Sequence, residues 1–190
     1  MPDNPAEAVQ PDEKDWTWVL QRRCDQCALA AGEVPTGELA DRAFVVAEEW
    51  VQILRSHPAV EARPSPGVWS PLEYGAHVRD VFDVMDERLR SMLTADRPTF
   101  ASWDQDETAR LQRYAEQDPD RVATELEAAA QRLVSQIRQV EADAWSRTGT
   151  RSDGSAFTVA TLLQYMLHDV VHHLWDVTGQ QDAATSLTLA

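Results

Sequence analysis

Along four stretches of the chain, apolar residues recur at intervals of three and four, the period of a helix with one buried face. Leu39, Ala43, Val46, Ala47, Trp50, Ile53 and Leu54 make the first stripe, and Tyr74, Val78, Val81, Phe82, Met85 and Leu89 the second. Val122, Leu126, Ala129, Leu133, Ile137 and Val140 make the third, and Leu163, Met166, Leu167, Val170, Leu174 and Val177 the fourth. The spacing predicts helices over residues 37–56, 71–94, 119–140 and 158–177. Their ends are marked: Ser70-Pro71-Leu72-Glu73 is a capping box with proline at the first helical position, and Asp118 precedes Pro119. Thr158 suits an N-cap, and Gly179 stands where a helix stops. No strand-like alternation of useful length and no internal repeat is present. The expectation is all-α: a four-helix bundle with an N-terminal arm and a short acidic helix, 106–117, between the second and third long helices.

The intervening segments read differently. Residues 1–14 are polar, acidic and proline-containing and are expected as a disordered tail; 15–178 form a single domain, and 179–190 a C-terminal tail. The connection Pro98–Asp106 carries Phe100 and Trp103, and a loop that carries aromatics packs over something, such as a pocket mouth. Residues 143–155, rich in Gly, Ser and Arg, read as a linker.

Charge narrows the partners. Against 32 acidic residues stand 17 basic ones, a formal net charge of −15, which opposes nucleic acid or an anionic membrane as partner because both are polyanions. No apolar run approaches the roughly twenty residues of a membrane span, and the N-terminus lacks a signal peptide's basic start and apolar middle, so a cytoplasmic protein is expected. A homodimer would suit a small helical bundle, although no exposed apolar face identifies itself.

The chemistry concentrates in the fourth helix. His168 and His172 are four apart and share a face, the spacing of a metal-ligand pair. Gln164, Tyr165, Val171 and Trp175 cluster on the same arc and could wall a cavity, although aromatics at helical spacing are more often plain core. His173 points away from the pair. A catalytic zinc or nickel site takes three protein ligands and keeps a position open. His77, at the edge of the second stripe, is the best third ligand, whereas His57 precedes Pro58 in a loop. Glu73 and Asp176, one turn from His77 and His172, could accept hydrogen bonds that orient the imidazoles, or else belong to solvated faces. Arg79, Arg88 and Arg151 could meet the carboxylates of a ligand, or form surface ion pairs. Cys24 and Cys27 make a Cys-x-x-Cys, but a Cys₄ site needs a second pair that the chain lacks, and no βαβ pattern suggests thioredoxin-like chemistry. Two reduced packing thiols are the leading reading, with redox sensing or a metal shared with another chain behind it.

Trp69-Ser70-x-x-Glu73-x-x-x-His77 together with His168-x-x-x-His172, in a helical chain of this length, resembles the DinB-like superfamily, which includes mycothiol-dependent maleylpyruvate isomerases and bacillithiol or mycothiol S-transferases. The Cys-x-x-Cys arm, Trp103-Asp104-Gln105-Asp106 and Arg151-Ser152-Asp153-Gly154 resemble an actinobacterial subgroup. The resemblance implies that His77, His168 and His172 occupy the metal-binding positions. The metal would be divalent, zinc or nickel, and would activate a low-molecular-weight thiol such as mycothiol toward an electrophilic substrate, in an S-transferase or isomerase. A hydrolase using metal-bound hydroxide, and a non-enzymatic bundle that binds a small ligand, are the alternatives.

Overall fold

The computed structural model describes residues 16–181, so the two expected tails, apart from 179–181, lie outside the described residues. Four long helices make the body: α1 (Leu39–Ser56), α2 (Pro71–Thr94), α4 (Pro119–Ile137) and α5 (Val159–Thr178). The short α3 (Gln105–Leu111) and a 3₁₀ turn at Tyr114–Glu116 fill the place of the expected single acidic helix, divided where Arg113 takes a left-handed φ of 50°. The third long helix ends at Ile137 rather than Val140.

Contrary to the expectation of no strands, a small sheet stands at one end of the bundle. It consists of β1 (Thr99–Phe100), β2 (Thr148–Arg151) and β3 (Ala156–Thr158), in that order, with β1 parallel and β3 antiparallel to β2. Strands of two to four residues are too short to display an alternation. The expected linker therefore contains strand β2 and turns at Gly154 with φ 94°, a value that glycine adopts without steric cost. Gly149 of β2 lies against Phe100 and Met92, where even a methyl group would come within 3.0 Å of both side chains. The sheet is thereby pressed onto the end of α2.

Helices α4 and α5 each pack against both α1 and α2, and α1 and α2 touch little, so the first two helices sit across the diagonal of the bundle. The stripes predicted from sequence meet inside it. Trp50, Leu54, Leu72, Phe82, Leu89, Leu126, Leu133, Leu162 and Leu163 are fully buried. The Trp50 indole donates to the Val170 carbonyl at 3.0 Å, which ties α1 to α5.

The capping box at α2 is realised in full. The Glu73 amide donates to Ser70 Oγ at 3.2 Å, and the Ser70 amide to the Glu73 carboxylate at 2.9 Å. Arg63 clasps the same carboxylate from the preceding loop, with Nε at 2.8 Å. Glu73 is thus committed to starting the helix and does not orient His77. Ser70→Ala should cost about 1 kcal/mol of unfolding free energy, in line with other N-caps, as measured by urea denaturation.

A buried polar knot joins α2 to the α3–α4 segment. Arg79 donates to Asp80, Gln112, Gln117 and Glu125 at 2.7–3.1 Å, and the Tyr114 hydroxyl donates to Asp80. This occupies Arg79 and removes it from ligand binding. Among the described residues, no helix is long and apolar enough to cross a membrane.

The arm of residues 16–34 crosses α5. A 3₁₀ turn (Trp16–Leu20), the Cys24–Leu29 loop and a second 3₁₀ turn (Ala31–Glu33) bury Val19, Cys24, Cys27, Leu29, Ala31 and Val34. Gly32 is required here, because a Cβ would lie 2.0 Å from the Leu20 carbonyl oxygen. Gln164 of α5 donates to the carbonyls of Gly32 and Val34 at 3.2 and 2.9 Å.

Candidate metal centres

Helix α5 carries two donor sets one residue out of phase. Each residue turns the helix by about 100°, so Gln164, His168 and His172 climb one face while Tyr165, Asp169 and His173 climb the next. The face bearing His168 and His172 is turned to the arm, with the Trp16 ring 5.6 Å from His168 and 5.0 Å from His172. The face bearing Asp169 and His173 is turned to α2, with the His173 ring 4.8 Å from His77 and 5.0 Å from Tyr74.

Across the α2–α5 interface, His77 Nε2 lies 3.5 Å and His173 Nε2 3.1 Å from the same oxygen, Asp169 Oδ1. One donor atom from each of the three lies within 4.8 Å of the others. Behind His173, Nδ1 pairs with Asp176 Oδ2 at 2.8 Å, the carboxylate buttress that fixes a ligating imidazole's orientation. Trp103 lies flat on His77, their rings 5.2 Å apart and 5° from parallel, and Trp69 is 5.6 Å away. The aromatic loop expected to cover a pocket mouth thus covers His77.

These residues fit a divalent cation. Two imidazoles and a carboxylate are the donor types that zinc accepts, and separations of 3.1–3.5 Å match the edge of a tetrahedron with bonds near 2.0–2.1 Å, about 3.3 Å. His77 Nδ1 is buried without a hydrogen-bond partner, which leaves the ring held by stacking and by its Nε2 contact alone.

The three histidines expected to form one centre are therefore divided. His77 joins Asp169 and His173, whereas His168 and His172 join Cys24 and Cys27 in another group whose donor atoms all lie within 4.8 Å of one another. The physical cause is helix phase: a shift of one residue along α5 turns the side chain by about 100°, and it is the 169/173 face that meets α2. His173, expected to point away, is the residue that faces His77. Both cysteines are reduced and buried. Cys24 Sγ lies 3.7 Å from His172 Nδ1, and His168 Nε2 is buried without a hydrogen-bond partner.

Ionisation separates the two groups. Burial and the neighbouring His172 push His168 down to about 4, so its ring is neutral at physiological pH. Burial pushes the Cys27 thiol up to about 12, reinforced by Cys24. His77 is likewise lowered by burial. His173 goes the other way: burial opposes its charge, but hydrogen bonds to Asp169 and Asp176 prevail and raise it to about 9. Burial also opposes the Asp169 charge, and His173 and His77 nevertheless hold that carboxyl well below its usual range. A cation entering this group must displace the His173 proton, because a ligating imidazole is neutral. Its apparent affinity should therefore rise about tenfold per pH unit up to about pH 9 and level off above. Competition titration with a chromophoric chelator across this range would show it.

The remaining candidates sort by location. Tyr165 packs on Phe157, with the Arg151 guanidinium 5.9 Å from its ring. Trp175 lies 5.6 Å from His172. Arg88 is 7% exposed, donates to the Ala101 carbonyl at 2.9 Å, covers the Phe100 ring, and has no carboxylate partner among the described residues. Burial and the nearby Arg151 both disfavour its charge. Burial and the Asp169 charge raise the Tyr165 phenol, while Arg151 and Arg88 lower it. Arg151 itself is paired with Asp153 at 2.8 Å.

Residues 46–177 match the DinB superfamily. The chain belongs to this superfamily. Two solved structures share the DinB fold seen here. YfiT from Bacillus subtilis, described as a probable metal-dependent hydrolase with an unusual four-helix bundle topology, superposes with a TM-score of 0.70 at 16% identity over 76% of this chain and 84% of that one. A mycothiol-dependent maleylpyruvate isomerase superposes with a TM-score of 0.61 at 16% identity over 78% of this chain; the chain spans 62% of that protein. Among curated proteins, none matches. All three members of the His77 group fall within the DinB span, whereas Cys24 and Cys27 lie ahead of it.

Proposed function

We propose that this DinB protein is a divalent-metal-dependent enzyme acting on small molecules, with His77, Asp169 and His173 as the ligands and a low-molecular-weight thiol of the mycothiol type as cosubstrate. The observation that carries the reading is the convergence of His77 Nε2 and His173 Nε2 on Asp169 Oδ1 beside the Trp103 and Trp69 rings. Three protein donors leave coordination positions for an exogenous group. Two neutral imidazoles and one carboxylate leave a bound dication with a net charge of +1, which favours an anion as the remaining ligand. Zinc or nickel held there would stabilise negative charge on sulfur or oxygen and so supply a thiolate or hydroxide at neutral pH.

The chain's own residues shape what can approach. Asp176 holds the His173 ring through Nδ1. Trp69, Trp103 and Tyr74 exclude water and offer flat apolar faces. Burial keeps the Tyr74 phenol protonated, so it can donate a hydrogen bond. Arg88, buried without a carboxylate of its own among the described residues, suits the carboxylate of a thiol or an acidic substrate.

The test is reconstitution with zinc or nickel followed by turnover of a panel of electrophiles and of esters and amides. Turnover of electrophiles that needs both metal and added thiol supports the reading. Metal-dependent cleavage of esters or amides without thiol would replace it with hydrolysis, the reading favoured by the likeness to YfiT.

A further inference from the structure

Another buried group of donors lies on the adjacent face of α5 and serves no purpose in the chemistry above. Cys24, Cys27, His168 and His172 offer two sulfurs and two ring nitrogens, all within 4.8 Å of one another, on side chains 1%, 2%, 4% and 7% exposed. We propose that these four residues form a closed, structural zinc site that rivets the N-terminal arm to α5.

Four observations carry this. The donor set is Cys₂His₂, complete in number, and mixed thiolate and imidazole donors select zinc in tetrahedral coordination. The 3.7 Å between Cys24 Sγ and His172 Nδ1 is close to the sulfur–nitrogen edge of such a tetrahedron, about 3.5 Å for bonds near 2.3 and 2.0–2.1 Å. The Cys-x-x-Cys segment is closed on itself: the residue after the second cysteine, Ala28, takes a left-handed φ of 62°, and the Cys24 amide donates to the Leu29 carbonyl at 2.9 Å across a six-residue loop that keeps the two sulfurs within 4.8 Å. An alanine held in this left-handed conformation, which L side chains rarely adopt, indicates that something else fixes the turn. Finally, His168 Nε2 is buried with no hydrogen-bond partner, an orphan that a metal bond would satisfy.

The charges balance. Zinc entering as a dication displaces one proton from each thiol and binds two neutral imidazoles, so two protons leave and the buried assembly is neutral. That suits a site roofed by the Trp16 and Trp18 rings, whereas the His77 group, with one carboxylate, stays cationic when loaded. Four protein ligands leave no open position, which makes the role architectural. The rivet also fixes the rotation of α5, and so the direction in which Asp169 and His173 project.

The test uses the full chain loaded with cobalt as a spectroscopic stand-in for zinc, and metal analysis of protein purified without chelator. Wild type should show a sulfur-to-cobalt charge-transfer band with intense tetrahedral d–d bands, and these should persist in H77Q/D169N, in which the other centre is removed. Zinc content in that variant should remain about one per chain, and C24S/C27S should lower it about tenfold or more while losing the cobalt–sulfur band. Should the cysteine variant fail to fold, thiol titration of the wild type decides: both thiols should be protected from a disulfide reagent and become reactive after a strong chelator. Cobalt loading without a charge-transfer band, thiols equally reactive with and without chelator, or a Cys24–Cys27 disulfide in the purified protein would overturn the proposal. None of these outcomes depends on what the His77 centre catalyses, so the two readings fail separately.

Discussion

His77→Gln is expected to lower divalent-metal affinity at the α2–α5 centre by about 100-fold or more, and to remove metal-dependent turnover, while leaving the melting temperature of chelator-treated protein within a few degrees of wild type. The reasoning is from ligand count. His77 is the sole donor that α2 contributes, and without it only Asp169 and His173 of α5 remain, two donors on successive turns of one helix. Losing a group that merely buttresses a ligand costs roughly 10- to 100-fold in affinity, so losing the ligand itself costs at least the upper end of that range. Asp176→Asn, which keeps all three ligands and weakens only the hold on His173 Nδ1, should fall inside it. Isothermal titration of the two variants with zinc orders them, and an equal loss in both would contradict these assignments.

Arg79→Ala should be the most destabilising single change in the polar part of the interior, at about 3–5 kcal/mol. The guanidinium is nearly buried and serves four acceptors at once: Asp80, Gln112, Gln117 and Glu125. Its removal strands the Asp80 carboxylate, itself buried, with the Tyr114 hydroxyl as its one strong donor among the described residues. Breaking a buried ion pair from one side is costly because the remaining charge keeps its desolvation penalty. Replacing Arg79 and Asp80 together by apolar residues should recover part of the loss, since both halves of the burden go together. Urea unfolding of the single and double variants measures this directly.

Much of the bundle is legible in the chain. The four apolar stripes, the Ser70 capping box and Gly179 place the long helices within two or three residues, because burial of one face and satisfaction of helix-end amides are local requirements. The centre is harder to read. His168-Asp169-Val170-Val171-His172-His173 contains two interleaved i, i+4 pairs, His168 with His172 and Asp169 with His173, and sequence alone does not say which faces α2. That choice rests on the rotation of α5 against its neighbours, a tertiary quantity. Spacing and donor type favour the all-histidine pair, yet that pair belongs to the arm. The Cys-x-x-Cys has no second cysteine pair, but an i, i+4 histidine pair completes a donor set equally well; only the path of the arm over α5 reveals it. The three short strands leave no periodic trace.

The diagonal seating of α1 and α2 bears on how the protein emerges from the ribosome. The first two helices find few partners in one another and must wait for α4 and α5, so both are synthesised before their packing surfaces exist. His77 and Asp169 are 92 positions apart, and Cys24 and His172 are 148 apart. Neither proposed centre could hold an ion in its final geometry on a nascent fragment that lacks α5. Metallation of the proposed centres would therefore follow synthesis of α5, which contributes donors to both.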